Sequence, residues 1–334
     1  MISLSVLDQS PIASGSHARE ALRQTVQLAQ AAERLGYRRF WVSEHHDATT
    51  LAGSTPEVLI AHLAARTKRI RVGSGGVMLP HYSAYKVAEN FRMLEALYPH
   101  RIDLGIGRAP GGMPLATMAL NEGKERHVDI YPQQVEDLIG YLTDSLPDNH
   151  RFHGLTATPV VDSVPEMWLL GSSGGSATVA AENGIAYSFA HFINGEGGEE
   201  VVRAYKRQFQ PSPLLDEPKT SVAIFVVCAE TDDEADRIAS SLDLSLLMIA
   251  NGQKSDGTPT IEAAQSYPYT PFELAHVREN RKRMIVGSPA TVKRRIEALA
   301  AAYDTEEVVA VTITHSFEHR LRSYELLADV FQLN

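Results

Sequence analysis

A single cysteine, Cys228, stands in a chain of 334 residues, so no disulfide within the chain can form. It lies in an apolar run with Phe225 and Val227, the setting of a buried, inert thiol. Basic residues are outnumbered: 31 Lys and Arg face 41 Asp and Glu, a net charge of −10. That balance excludes broad binding to nucleic acid or to an anionic membrane, since both need a basic surface. The densest basic runs, at residues 66–71 and 278–283, read as solvated faces. No apolar run approaches the roughly 20 residues that span a bilayer. The opening MISLSVLDQS has no basic segment and no long apolar stretch, so a cytoplasmic location is the default expectation. A GxGxxG turn after the first β-rich run is missing too, which speaks against an open dinucleotide-binding sheet.

What is present is an alternation of short β-branched runs with longer amphipathic stretches. Strands are expected at residues 2–7, 39–43, 70–74, 101–106, 167–170, 186–189, 221–228 and 308–314. Between them, Val87, Phe91, Leu94 and Tyr98 step by four, three and four residues, as do Val292, Ile296, Leu299 and Tyr303. That spacing lines up one helical face. Thr231 with Glu234 predicts a capping box, helped by Asp232 and Asp233 in the first turn. Pro56 and Pro289 follow Thr55 and Ser288 at positions suited to a helix start. Eight strands, each followed by a helix, give an α/β chain with a parallel sheet covered on its outside. The count of eight predicts closure into a (β/α)8 TIM barrel over residues 1–334 as one domain.

Two segments break the rhythm. Residues 147–165 are polar and carry prolines, and are expected to wrap the barrel edge before the fifth strand. Residues 251–271 are rich in Gly, Ser, Thr and Pro and form an insertion in the seventh β/α unit. A long irregular segment in a compact domain suits a functional lid or a tether.

In such barrels chemistry sits at the carboxyl ends of the strands. After the fifth strand comes GSSGGS, Gly171 to Ser176, and then an alanine-rich helix. Glycines let backbone amides converge, Ser172, Ser173 and Ser176 add hydroxyl donors, and a helix amino-terminus attracts anions. Two serines followed by two glycines at a strand-to-helix junction favour a phosphate cradle over a small-residue turn chosen for tight packing. After the second strand comes Glu44-His45-His46-Asp47, where alternation aims one histidine at the barrel mouth. A histidine there suits proton transfer or stabilisation of a developing anion. GSGGVMLP at residues 73–80 has glycines where backbone must be approached closely. Arg108, in GRAPGG, is placed either to pair with a phosphate or to face solvent, and His191 either to line a pocket or to pack.

Taken together, these segments resemble the bacterial luciferase-like, flavin-dependent monooxygenase superfamily, and in particular its single-chain oxidoreductases. The likeness runs through LDQSPI at residues 7–12, EHH at 44–46 and GSGGVMLP. It continues through RIDLGIGRAPG at 101–111, WLLGSSGGSA at 168–177 and VGSP at 286–289. It implies FMN as cofactor, supplied reduced by a separate flavin reductase and used with molecular oxygen to oxygenate a small organic substrate. It implies a catalytic role for His45, a cis peptide between Gly75 and Gly76 beneath the flavin ring, and a phosphate site of Arg108, Gly171, Ser172, Ser173 and Ser176. It also implies a mobile lid at residues 251–271 and a homodimer. Luciferase has a reactive cysteine where this chain has Gly107, so light emission from an aldehyde does not follow.

Two other readings stay open at this stage: hydride transfer with a deazaflavin, whose longer anionic tail would give residues 278–283 a purpose, and a flavin-binding protein without turnover. A metal hydrolase on the same barrel would need an HxH pair after the first strand; residues 3–8 hold no histidine, and no metal is expected.

Overall fold

The computed structural model describes residues 2–124 and 128–333. β1 (Ser3–Asp8) leads through α1 (Ala18–Arg34) to β2 (Arg39–Val42), and α2 (Pro56–Arg66) leads to β3 (Arg71–Ser74) and β4 (Val77–Met78). α3 (Ala84–Leu97) precedes β5 (Ile102–Gly107), which is followed by α4 (Pro114–Leu120) and α5 (Tyr131–Thr143). Then come β6 (Glu166–Gly171), α6 (Gly174–Glu182), β7 (Ala186–Ala190), α7 (Gly198–Gln208) and β8 (Thr220–Cys228). α8 (Asp232–Ala250), α9 (Ile261–Ser266) and α10 (Pro271–Arg281) lead to β9 (Met284–Gly287), α11 (Pro289–Ala302), β10 (Glu307–Val311) and α12 (Phe317–Phe331).

Neighbouring strands run parallel in the order β10-β1-β2-β3-β5-β6-β7-β8, and β8 pairs back onto β10, which closes the ring. The expected (β/α)8 TIM barrel is thus present, with its insertion after the seventh barrel strand. Two strands lie outside the expected set. β9 pairs with Phe225–Cys228 of β8, whereas β10 pairs with Val222–Phe225, so β9 sits on the upper part of β8 inside the insertion. β4 continues β3: the first pairs with Ile106 and Gly107 of β5, the second with Ile102 and Asp103. They form one barrel strand interrupted at Gly75–Gly76, and the Ser74 hydroxyl bridges the gap. It donates to Gly105 O at 2.8 Å and accepts from Gly105 N at 3.0 Å.

Local signals act largely as the sequence dictates. Thr231 caps α8 by accepting from Glu234 N, although the Glu234 carboxylate turns to Arg237 and does not close the box. A complete capping box stands at Thr270–Glu273, ahead of α10. Residues 147–165 run along α3, where the buried Arg92 donates to Ala157 O and Ser163 donates to Glu95. Within 251–271, α9 is an element the composition did not reveal. Thr258 pairs with the loop after β1 (N to Ile12 O at 2.7 Å, O from Ser14 N at 2.9 Å), and its carbonyl also lies 2.9 Å from His315 Nδ1. Among the described residues no helix is long and apolar enough to cross a membrane. Cys228 is buried in β8, and burial pushes its thiol up to about 12.

The amino-terminal end of the barrel interior is ionic. Arg39 has no exposed side-chain surface and bonds Asp103 at 2.7 Å, Glu307 at 2.6 Å and Glu166 at 3.1 Å. Arg71 joins Asp103, Lys219 joins Glu166, and Ser5 donates to Glu307. Trp41 and Trp168 stack on the Arg39 guanidinium at 5.6 and 4.8 Å and send their indole N–H groups to Asp103 and Glu166. Burial opposes the Arg39 charge, yet the surrounding carboxylates hold its pKa above the ordinary arginine value. Removing one member of such a cluster strands the rest without compensation, at a cost of about 3–5 kcal/mol. Arg39→Met is therefore expected to lower the urea-unfolding free energy by about that amount. A loss below ~1 kcal/mol would mean that Asp103 and Glu307 find other partners.

Candidate active site

Beyond the tryptophans, toward the carboxyl ends of the strands, the barrel opens into a cavity of about 370 Å³. Its floor is Leu7, Trp41 and Leu170, and its apolar wall includes Met78, Phe192 and Ile193. Gly75, Gly76, Arg108, Gly171, Ser172, Ser173 and Ser176 all line this one space. Segments far apart in sequence meet there because each is the exit loop of a neighbouring barrel strand.

One end of the cavity attracts anions. β6 ends at Gly171, where a Cβ would fall 2.7 Å from Ser176 Cβ, so only glycine lets α6 start this close. Ser173 is the N-cap of α6, but its side chain makes no capping bond, and the next two residues are glycines. The first-turn amides therefore carry no side-chain cap of their own. The Arg108 guanidinium reaches the same turn, 3.7 Å from where a Gly175 Cβ would stand. Tyr131, first residue of α5, is 2% exposed, and its hydroxyl has no hydrogen-bond partner among the described residues. Burial raises its pKa well above the usual phenol value, with Arg108 opposing, so it stays protonated. Tyr131 was not legible in the chain, because an aromatic in a helix first turn is ordinary core composition.

The other end is built for close backbone approach. The Gly75–Gly76 peptide is cis. A Cβ on Gly75 would lie 2.7 Å from Leu7 Cδ1, and one on Gly76 would lie 2.7 Å from Gly105 O. Gly107 sits under Met78, whose Cε would be 3.2 Å from an added Cβ. The Met78 thioether thus covers the space that a side chain at 107 would take.

The two histidines after β2 part ways. His46 lies 2.7 Å from the Glu44 carboxylate and pairs through its backbone with Gly111 and Gly112. His45 is half-buried beside Ser43, whose Oγ is 3.0 Å from Nδ1, and its N–H donates to Gly53 O. It does not line the cavity. Burial, followed by the neighbouring His46, brings the His45 pKa down to about 4. The ring is therefore neutral near pH 7.

Two other candidates take structural places. His191 packs away from the cavity with Nδ1 2.8 Å from the Tyr303 hydroxyl. In the 278–283 run, Arg281 pairs with Asp243 at 2.7 Å and Asp236 at 3.1 Å. Arg283 donates to the carbonyls of Phe192 and Ile193 and to Asn280.

Because the folded state disfavours the His45 cation, its contribution to stability is complete above the ordinary histidine value of 6.5 and is lost as pH falls toward about 4. Between about pH 7.5 and about pH 5 the protein is expected to lose more stability than a His45→Asn variant, read as the shift in urea midpoint. Equal losses would show that His45 titrates normally.

Comparison with known proteins agrees with this geometry. The chain is 60% identical over 331 residues to YwcH of Bacillus subtilis (strain 168), covering 99% of each protein. It is 41% identical over 330 residues to an N-acetyl-S-alkylcysteine monooxygenase of the same strain, covering 98% of each. The solved structure of apo-MsnO8 superposes with a TM-score of 0.92 at 40% identity, covering 100% of this chain and 99% of that one. The family model described as luciferase-like monooxygenase matches residues 2–306, and the chain belongs to that family.

Proposed function

We propose that the cavity holds FMN, and that the protein uses reduced FMN and molecular oxygen to oxygenate a small organic substrate. The observation that carries this reading is the meeting, in the lining of a single cavity, of Arg108 and the α6 amino-terminus with its serines. A phosphate there would accept charge-assisted bonds from the guanidinium, the serine hydroxyls and the first-turn amides of α6. The space beside Gly75–Gly76 suits a flat ring laid against backbone.

Reduced FMN, when bound, supplies the electrons for oxygen activation, and the protein supplies position and electrostatics. Ser172, Ser173, Ser176 and Arg108 would hold the phosphate. Trp41, Leu170, Met78 and Phe192 keep water from the ring. His45 acts as a neutral imidazole. Its Nδ1 is engaged by Ser43, so a proton is held or passed at Nε2. The commitment of Arg281 and Arg283 to protein partners supports FMN over a deazaflavin with a long anionic tail.

A separate flavin reductase is the source of reduced FMN in this reading. The protein pairs as a homodimer through α2 and α3, where Val58, Met93 and Leu97 are 69%, 51% and 57% exposed; sedimentation at a single chain mass would contradict that. The relative named for N-acetyl-S-alkylcysteine directs the first substrate screen to thioethers.

Fluorescence titration with FMN tests the site. Replacing Ser172, Ser173 and Ser176 together by alanine is expected to weaken binding about a hundredfold, since each bond to a charged group contributes about 1.5–3 kcal/mol before compensation. Unchanged affinity would sink the phosphate assignment. Turnover is tested with heavy-oxygen gas and reduced FMN: label in the product supports a monooxygenase, whereas binding without labelled product from any screened substrate leaves a flavin-binding protein.

A further inference from the structure

Glu44 is the least exposed member of the EHH motif, with 1% of its surface accessible. Its Oε2 accepts from Met78 N at 3.0 Å, and its Oε1 accepts from the Tyr82 hydroxyl at 2.8 Å and faces His46 Nε2 at 2.7 Å. These contacts come from three places: the backbone of β4, the turn after the short Leu79–His81 helix, and Glu44's own loop. His46 extends the reach, donating its N–H to Gly111 O at 2.8 Å. Gly111 has a φ of +63°, and a Cβ there would lie 3.0 Å from Met78 Cγ and 3.1 Å from Glu44 O. The exit loops of β2, β4 and β5 therefore close around one carboxylate.

We propose that Glu44 is a positioning residue, fixing Met78 and hence the Gly75–Gly76 platform against the β5 exit loop. β4 has two residues, and the barrel strand it completes is interrupted just before it, so the sheet alone holds Met78 weakly. Gly76 is two residues from Met78, and a displaced Met78 carries the platform with it. Burial, with the Glu44 carboxylate adding to it, holds Tyr82 well above the ordinary phenol range, which keeps its hydroxyl protonated as a donor. His81 strengthens the same closure, with Nε2 2.8 Å from Pro110 O. What Glu44 positions toward the ring rests on the FMN reading; its hold on the loop does not.

Two measurements on Glu44→Ala and Glu44→Gln decide the matter. The first is hydrogen exchange in the peptide covering residues 75–82 of the flavin-free protein. The alanine variant is expected to exchange at least about tenfold faster at the Met78 amide, and the glutamine variant, which keeps a carbonyl acceptor, to lie near the wild type. The second is the visible absorption of bound FMN. The alanine variant is expected to shift toward the free-flavin spectrum with Kd raised about tenfold, and the glutamine variant to keep the bound spectrum. Wild-type exchange in folded Glu44→Ala overturns the proposal, as does faster exchange with an unaltered bound-flavin spectrum. If the alanine variant does not fold, Tyr82→Phe, which removes one of the three contacts, is read by the same two criteria. If the wild type itself binds no FMN, the proposed function fails, and the exchange result alone decides whether Glu44 holds the loop.

Discussion

The structure depends on one buried cation. A parallel barrel of this size must fill its interior with side chains, and here the lower part is filled by charge. Arg39 would be costly in such a place alone; surrounded by Asp103, Glu166 and Glu307 and stacked between two indoles, it becomes a point to which strands from around the ring are tied. Ser5 of β1, Asp103 of β5, Glu166 of β6 and Glu307 of β10 all answer to the same guanidinium cluster. A hydrophobic plug could fill the volume as well, but it would not fix strand register by directional bonds. With the lower end set in this way, the upper end can remain hollow.

Above that layer the same strands change composition from large and charged to small. Gly105 lies so near β3 that a Cβ would stand 2.1 Å from Ser74 O, and one on Gly73 would stand 2.4 Å from Asp103 O. These contacts bring backbone, not side chains, to the cavity surface beside Gly76. Trp41 belongs to both regimes, bonding Asp103 through its indole nitrogen and presenting its ring to the cavity floor. The cavity and the ionic cluster are therefore mechanically continuous.

Much of this was legible in the chain. Strand runs rich in branched residues, helical steps of four and three, and prolines after Thr55 and Ser288 reported local geometry that tertiary contacts did not override. The glycine and serine positions were readable because their small size is itself the signal. Less legible were features whose meaning depends on a distant partner. Arg71 belongs to a basic run that reads as solvated, yet it turns inward to Asp103. Arg281 and Arg283 look available in sequence and are committed to Asp243 and to loop carbonyls. β4 is too short to show a period, and the MIVG run of β9 is no longer than a turn-flanked apolar cluster. Glu44 was hidden beside two histidines, which draw attention as titratable groups, whereas its role arises from donors 34 and 38 residues away.

The Met78 thioether resting over Gly107 has a consequence for how this cavity can vary. The two positions share one volume: any side chain at 107 must take space from the one at 78, and a shorter residue at 78 leaves a void that 107 is placed to fill. Their substitutions are therefore not independent, and the pair behaves as a single locus of shape. A lineage could trade bulk between the two neighbouring strands while the ionic base below stays untouched, remodelling what the pocket admits without renegotiating the fold.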